Sequence, residues 1–263
     1  MKVGFIGCGN MAKAMISGLL KSGVCKGEEV VASDVSPAAR SAAQALGISV
    51  TADNQQAAAQ ADALVLAVKP QFYQEVIEGL KDSLRAGQLV ITIAPGKTLA
   101  WLQERLGEEI AIVRTMPNTP AMVGEGITAM CPNGKVTEEQ LALCRSLLES
   151  FGKAELVPER LMDAVVAVSG SSPAYVFLFI EAMADAAVAE GMPRPQAYTF
   201  AAQAVLGSAK MVLETGRHPG ELKDMVCSPA GTTIEAVQAL EETGFRSSVM
   251  RAMRLCAEKS RSM

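Results

Sequence analysis

The stretch that decides the fold lies at the N-terminus and reads Val3-Gly4-Phe5-Ile6-Gly7-Cys8-Gly9-Asn10-Met11-Ala12. Its apolar start predicts a buried strand over Val3–Ile6, and a helix follows to about Lys21. Gly7 permits a tight turn, Gly9 lets backbone approach a ligand, and Ala12 allows close packing of helix on strand. The free amides and positive helix end at this turn suit a pyrophosphate. The stretch therefore predicts a dinucleotide-binding turn.

The same alternation of strand and helix continues to about residue 150. Further strands are predicted over Val30–Ser33, Leu64–Val68, Leu89–Ile93 and Ile110–Arg114. Helices are predicted from Ser36-Pro37, over Gln71–Leu80 and Leu99–Leu106, and from a capping box that begins at Thr137. Alternation at this spacing indicates an α/β fold, a Rossmann-type doubly wound parallel sheet with helices on both faces.

The pattern changes near residue 155. No strand is predicted beyond Leu161, and alanine-rich helices cover about 173–190, 195–215, 231–242 and 246–259. We therefore expect a dinucleotide-binding domain over residues 1–155 and an all-α domain over 156–263. Tyr175–Ile180 is apolar on every side, which favours burial against a second subunit in a symmetric dimer. A tightly packed monomeric bundle is the alternative.

Composition indicates which kinds of partner and which cellular compartment to expect. The 263 residues carry a net charge of -4 without a Lys/Arg cluster, which argues against nucleic acid or an anionic membrane as partner. Apolar stretches are interrupted before the roughly 20 residues that a bilayer needs. Six scattered cysteines without a CxxC pair predict reduced thiols in a cytoplasmic protein, and a single histidine predicts no zinc site.

The cofactor contacts are expected at the carboxyl ends of the strands. The predicted set comprises Ile6, Gly7, Cys8, Gly9, Asn10, Met11, Ser33, Ala67, Val68, Lys69, Pro70, Ala94, Pro95 and Gly96. For Lys69 the alternative is a solvated loop lysine. The second strand ends at Ser33 or Asp34, beside the expected adenine ribose. An acid there would favour NADH, whereas a hydroxyl with Arg40 nearby would suit the 2′-phosphate of NADPH.

A candidate substrate site precedes a helix in the second domain. Ser228, Gly231, Thr232 and Thr233 combine hydroxyls with a helix start whose amides could hold a carboxylate. Ordinary N-capping is the alternative. His218 precedes a proline near another helix start, and we expect it to cap or pack rather than to catalyse.

Several motifs together resemble the pyrroline-5-carboxylate reductase family over nearly the whole chain. They are Phe5–Met11, Ala67–Pro70, Met116–Pro120, Ser169–Tyr175, and the region from His218-Pro219 to Thr233 with Gly244–Arg246. The resemblance implies NAD(P)H-dependent reduction of 1-pyrroline-5-carboxylate to L-proline, the last step of proline biosynthesis. It further implies a helical domain that interlocks two subunits, either in a dimer or in a larger ring of dimers.

The resemblance also implies roles for single residues. Thr233 would be the catalytic threonine that hydrogen-bonds the ring nitrogen, and Ser228, Gly231 and Thr232 would grip the substrate with it. Glu159 aligns with an acidic residue near the substrate. Ser33 and Asn54 match cofactor contacts, and NADPH is the family's usual cofactor, with NADH as the alternative. Ala230 departs from the pattern, because the family usually has glycine there, and Ser172 replaces another glycine.

Two rival functions are weaker. A β-hydroxyacid-type dehydrogenase resembles this plan, but that family uses a lysine shortly after a Ser-Gly stretch, and no lysine lies between Lys153 and Lys210. A non-catalytic dinucleotide-sensing protein would have no need of the Ser-Pro-x-Gly-Thr-Thr segment. Cofactor oxidation with the imine would separate these classes.

Overall fold

The computed structural model of the protein describes residues 1–262. They form two compact units. The first contains Met1–Ser171 and the C-terminal segment from Cys256 onward, and the second contains Ser172–Leu255. The predicted boundary at residue 155 stays a prediction, since it divides the chain by function and these units divide it by contacts.

The first unit is built on one sheet. Its strands are β1 (Val3–Ile6), β2 (Val30–Ser33), β3 (Ser49–Thr51), β4 (Ala63–Leu66), β5 (Leu89–Thr92), β6 (Ala111–Met116), β7 (Gly126–Pro132) and β8 (Gly152–Leu156). The order across the sheet is β3-β2-β1-β4-β5-β6-β7-β8. The strand order therefore reverses between β1 and β4, and ligands of doubly wound folds bind outside the carboxyl ends of the strands at such a point.

Helices cover both faces of this sheet. They are α1 (Asn10–Lys21), α2 (Pro37–Gln44), α3 (Asn54–Gln60), α4 (Tyr73–Leu80), α5 (Leu99–Leu106), α6 (Glu138–Glu149) and α7 (Met162–Val165). Phe5 of β1 packs with Ile16 of α1 in one buried cluster, and its neighbour Ile6 packs with Tyr73 of α4 in another. Successive residues of a strand point to opposite faces, so one strand supplies both cores. The doubly wound fold is confirmed.

The second unit is entirely helical, as predicted. It contains α8 (Ser172–Ala189), α9 (Arg194–Thr215), α10 (Pro219–Val226), α11 (Thr232–Glu242) and most of α12 (Phe245–Arg261). The small buried side chains of Ala184, Ala197 and Ala201 let α8 and α9 pack closely. A π-helical turn, Val166–Gly170, precedes α8. Gly191 lies just after the end of α8 and has a φ of +94°.

Several elements were not predicted from the sequence. Strand β3 has only three residues, so it gives almost no alternation to detect. Strands β7 and β8 were also missed, and β7 runs antiparallel to β6, which departs from the expected parallel sheet. Helices α3 and α10 are short and polar, and packing rather than an apolar pattern defines them.

One helical stretch, Glu159–Ala189, is long and apolar enough to cross a membrane by length and composition alone. The expectation that no stretch reaches this length is therefore wrong. One helix of this kind is weak evidence for a membrane, because helices of soluble proteins pass the same test.

Candidate functional site

A cavity of about 820 Å³ lies at the carboxyl ends of β1, β2 and β4. Its lining residues are Gly7, Gly9, Ser33, Asp34, Val35, Ser36, Asn54, Ala67, Val68, Lys69, Phe72, Glu75, Val76 and Gly79. The predicted cofactor residues that it brings together are Gly7, Gly9, Ser33, Asn54, Ala67, Val68 and Lys69. Those that do not line it are Ile6, Cys8, Asn10, Met11, Pro70, Ala94, Pro95 and Gly96.

The glycine turn has the shape that a dinucleotide needs. Gly7 has a φ of +103°, and a Cβ on it would stand 2.7 Å from the carbonyl oxygen of Ala67. A Cβ on Gly9 would meet nothing within 4 Å, so this side of the turn is open. Gly9 is also the N-cap of α1 and gives that helix no side-chain cap. Open space beside uncapped amides fits a pyrophosphate.

Cys8, between these glycines, acts through its backbone. Its amide donates to Asp34 Oδ2 at 2.8 Å, and its thiol donates to the carbonyl oxygen of Ser33 at 3.6 Å. Burial first, and then the nearby Asp34 carboxylate, raise the pKa of the Cys8 thiol to about 11. The thiol therefore stays protonated near neutral pH and is no nucleophile.

The end of β2, which sequence reasoning left open, is settled by the structure. Ser33 is the last strand residue and is fully buried, and its hydroxyl donates to Asn54 Oδ1 at 2.7 Å. Asp34 is the first residue beyond the strand and lines the cavity. Its Oδ1 accepts from the amide of Ser36 at 2.8 Å. Ser33 thus anchors the start of α3, and both Ser33 and Asp34 line the cavity.

Tyr73 joins the ends of two central strands and was missed as a site residue. Its hydroxyl donates to the carbonyl of Leu66 in β4 at 2.6 Å and accepts from the amide of Ile93 after β5 at 3.3 Å. Burial raises the pKa of Tyr73, so the phenol is neutral. It positions the segments after these strands, Ala67–Pro70 and Ala94–Gly96. The only sequence signal was an aromatic residue among the apolar positions of α4.

Glu159 holds a helix start in the first unit. Its Oε1 accepts from the amide of Leu99 at 2.6 Å and from Arg114 Nη1 at 2.8 Å, and Arg114 is itself buried. These bonds tie α5 and β6 to the segment that contains Glu159. The geometry therefore makes Glu159 a positioning residue, and its predicted contact with substrate stays a prediction.

The predicted substrate residues lie in the second unit, where α11 begins. Gly231 is the N-cap of α11, and it has no side chain that could accept from the amides of the first turn. A Cβ on Gly231 would stand 2.3 Å from Ser228 Oγ, so the serine hydroxyl lies against this glycine. Thr232 is exposed and Thr233 is half-buried. An uncapped helix start with adjacent hydroxyls can hold a carboxylate.

His218 caps α10. Its Nδ1 accepts from the amide of Gly220 at 3.0 Å, which confirms the predicted capping role. In residues 1–262 no group of three or more histidine, cysteine, aspartate or glutamate side chains is placed to hold a metal ion.

Two family models match the chain. The model described as pyrroline-5-carboxylate reductase dimerisation matches residues 159–263, and that described as NADP oxidoreductase, coenzyme F420-dependent, matches residues 2–96. The pyrroline-5-carboxylate reductase of Escherichia coli is 53% identical over 263 residues, which cover 100% of this chain and 98% of the relative.

Two solved structures are similar over nearly their full length. A pyrroline-5-carboxylate reductase from Coxiella burnetii has a TM-score of 0.92 and 36% identity, with 99% of this chain and 97% of that chain covered. The Plasmodium falciparum pyrroline carboxylate reductase with NADP bound has a TM-score of 0.90 and 32% identity, with 100% of this chain and 97% of that chain covered. A Mycobacterium tuberculosis 3-hydroxyisobutyrate dehydrogenase, with a TM-score of 0.53 and 18% identity, shares the fold alone.

Proposed function

Because the chain belongs to the pyrroline-5-carboxylate reductase family, we propose that it reduces 1-pyrroline-5-carboxylate to L-proline with hydride from NAD(P)H. This is the last step of proline biosynthesis. The observation that carries the proposal is the uncapped start of α11, where Gly231 is followed by two threonines and Ser228 lies alongside. An enzyme of this class needs such an anion site in addition to its dinucleotide turn.

The cofactor supplies the hydride, and the chain's task is to hold and orient it. Amides at the start of α1 would bind the pyrophosphate, with Gly9 leaving room for it. The remaining turn residues, Ile6, Cys8, Asn10 and Met11, would shape this turn. Lys69 lines the cavity, which supports a cofactor contact over a solvated loop lysine. Pro70 and Ala94–Gly96 would border the nicotinamide half.

The substrate binds as a cyclic iminium in this proposal. Its positive nitrogen makes the adjacent ring carbon electrophilic, so the carbon accepts the hydride, the C=N π electrons move to nitrogen, and the nitrogen keeps its proton. Amides of Thr232 and Thr233 would hold the carboxylate, with Ser228 adding a hydroxyl. Thr233 would orient the ring nitrogen. No strong side-chain acid is needed, and the single histidine is engaged as a helix cap.

Cofactor oxidation with 1-pyrroline-5-carboxylate tests the reaction, and Thr233→Ala tests the site. We expect kcat to fall about tenfold or more in this variant, because an oriented hydrogen bond to a charged group is lost. Thr243→Ala at the other end of α11 is the matched control, since that hydroxyl donates only within its own helix end. We expect the control to keep its rate. No cofactor oxidation by the unaltered protein would refute the function, and an unchanged kcat in Thr233→Ala would refute the role of Thr233.

The protein is a homo-oligomer that acts on a small molecule. We propose a symmetric dimer through the second unit, with assembly into rings of dimers, and no nucleic acid or membrane as partner. Large exposed apolar side chains on α8, such as Phe177 at 63% and Leu178 at 67%, support a buried subunit contact over a monomeric bundle. A cytoplasmic location is part of the proposal, and six free thiols support it.

A further inference from the structure

The adenosine end of the cavity carries a carboxylate. In doubly wound folds the residue at the end of the second strand lies beside the adenine ribose. In this chain Ser33 ends β2, but its side chain is buried and its hydroxyl is used by Asn54. Asp34 is the next residue and lines the cavity. Ser33 lines the cavity as well, but its hydroxyl proton is donated to Asn54, so the Asp34 carboxylate is the charged acceptor at this strand end.

The Asp34 carboxylate is held in place and still has acceptor capacity. Oδ2 accepts from the amide of Cys8, and Oδ1 accepts from the amide of Ser36, both at 2.8 Å. An ionised carboxylate offers about four acceptor positions, so each oxygen keeps one for a ligand. The two amides fix its orientation before a ligand arrives. Ribose hydroxyls, which are donors, match such a group.

A 2′-phosphate at the same place would meet a like charge. The cation of this loop region is Arg40, whose Nη1 donates to the backbone carbonyls of Asp34 at 2.7 Å and Val35 at 3.2 Å. Of the residues that the structure describes, Arg40 is not among those that line this cavity. Its guanidinium is thus engaged by the loop backbone. The charged residues that line the cavity are Asp34, Lys69 and Glu75, and of these only Asp34 belongs to the loop after β2.

We propose that Asp34 is the residue that sets the nucleotide selectivity of this chain. It accepts a hydrogen bond from the 2′-hydroxyl of NADH and disfavours the 2′-phosphate of NADPH, so the protein uses NADH as well as NADPH. The inference rests on one part of the proposed function, the binding of a dinucleotide. It does not depend on which substrate is reduced.

The test is equilibrium binding of NADH and NADPH to the full chain without substrate. The measured quantity is the ratio of the two dissociation constants, Kd(NADPH)/Kd(NADH). We expect Asp34→Asn to lower this ratio by about 10- to 100-fold, because it removes a charged acceptor and a repelling charge together. The matched control is Asp53→Asn, since Asp53 also accepts from two backbone amides, those of Gln55 and Gln56, and is not itself a lining residue. The control should keep the ratio.

A second measurement needs no variant. The unaltered protein should bind 5′-ADP at least as tightly as 2′,5′-ADP, which isolates the adenosine end of the site. Tighter binding of 2′,5′-ADP would overturn the inference, as would an unchanged ratio in Asp34→Asn and Asp34→Ser. Equal weakening of both dinucleotides would also overturn it, because the carboxylate would then only shape the turn. If the unaltered protein bound neither dinucleotide, the proposed function would fail as well.

Discussion

At the scale of single residues, Ala230 holds a backbone conformation that suits glycine. It lies in the predicted substrate loop with a φ of +56°, and it is the residue at which the chain departs from the family pattern. A residue with a Cβ is destabilised by about 1–2 kcal/mol in this region. Such strain is found at functional sites, where the surrounding structure maintains it.

Ala230→Gly should therefore raise the free energy of unfolding by up to about 1 kcal/mol, because relief of strain exceeds the entropy cost of glycine. Chemical denaturation measures this. Gly216→Ala is the matched opposite, since Gly216 ends α9 at a φ of +63° and a Cβ on it would meet nothing within 4 Å. In that variant the free energy of unfolding should fall by about 1 kcal/mol. Destabilisation by both changes would contradict a left-handed Ala230.

At the scale of elements, Tyr73 makes two strand ends one framework. Its hydroxyl bridges the ends of β4 and β5, and both strands lead into predicted cofactor segments. Tyr73 and Leu66 are fully buried, so the phenol and the Leu66 carbonyl cannot turn to water instead.

Tyr73→Phe should lower the free energy of unfolding by about 1–3 kcal/mol, because it leaves buried polar groups without their partner. We also expect a higher dissociation constant for the cofactor, as the segments after the two strands lose their common anchor. Thermal unfolding and cofactor titration measure these effects. Tyr198→Phe, at an exposed tyrosine of α9, should change stability by less than about 0.5 kcal/mol. Equal effects in both variants would argue against the bridge.

At the scale of the whole molecule, the second unit exposes more apolar surface than a lone chain would be expected to retain. Phe177, Leu178, Phe200 and Leu213 are each more than 60% exposed, and a family model for dimerisation covers this region. Burial of such a surface is the driving force for association.

Leu178→Asp should shift the protein towards monomers, because burying an unpaired charge in the subunit contact is costly. Light scattering after size exclusion, over a series of protein concentrations, measures the mass. The control is Val123→Asp, which alters a comparably exposed apolar residue of the first unit. An assembly that survives Leu178→Asp unchanged would place the contact elsewhere.

Much of the fold follows from short stretches of sequence. Strand β1, the turn at Gly7 and helix α1 follow from ten consecutive residues. Ser36 and Thr137 begin helices as predicted, because a cap needs only an amide three residues ahead. The helical second half is likewise evident from periodicity alone.

Contacts between distant residues decided the rest. The pairing of β7 with β6, the bridge from Tyr73, and the bond of Glu159 to Leu99, 60 residues away, leave no pattern in the sequence. The same holds at the cofactor cavity. The sequence named both Ser33 and Asp34, but only the tertiary structure showed that Ser33 ends the strand with a buried, hydrogen-bonded hydroxyl and that Asp34 follows it, because the position of a strand's end depends on its neighbours in the sheet.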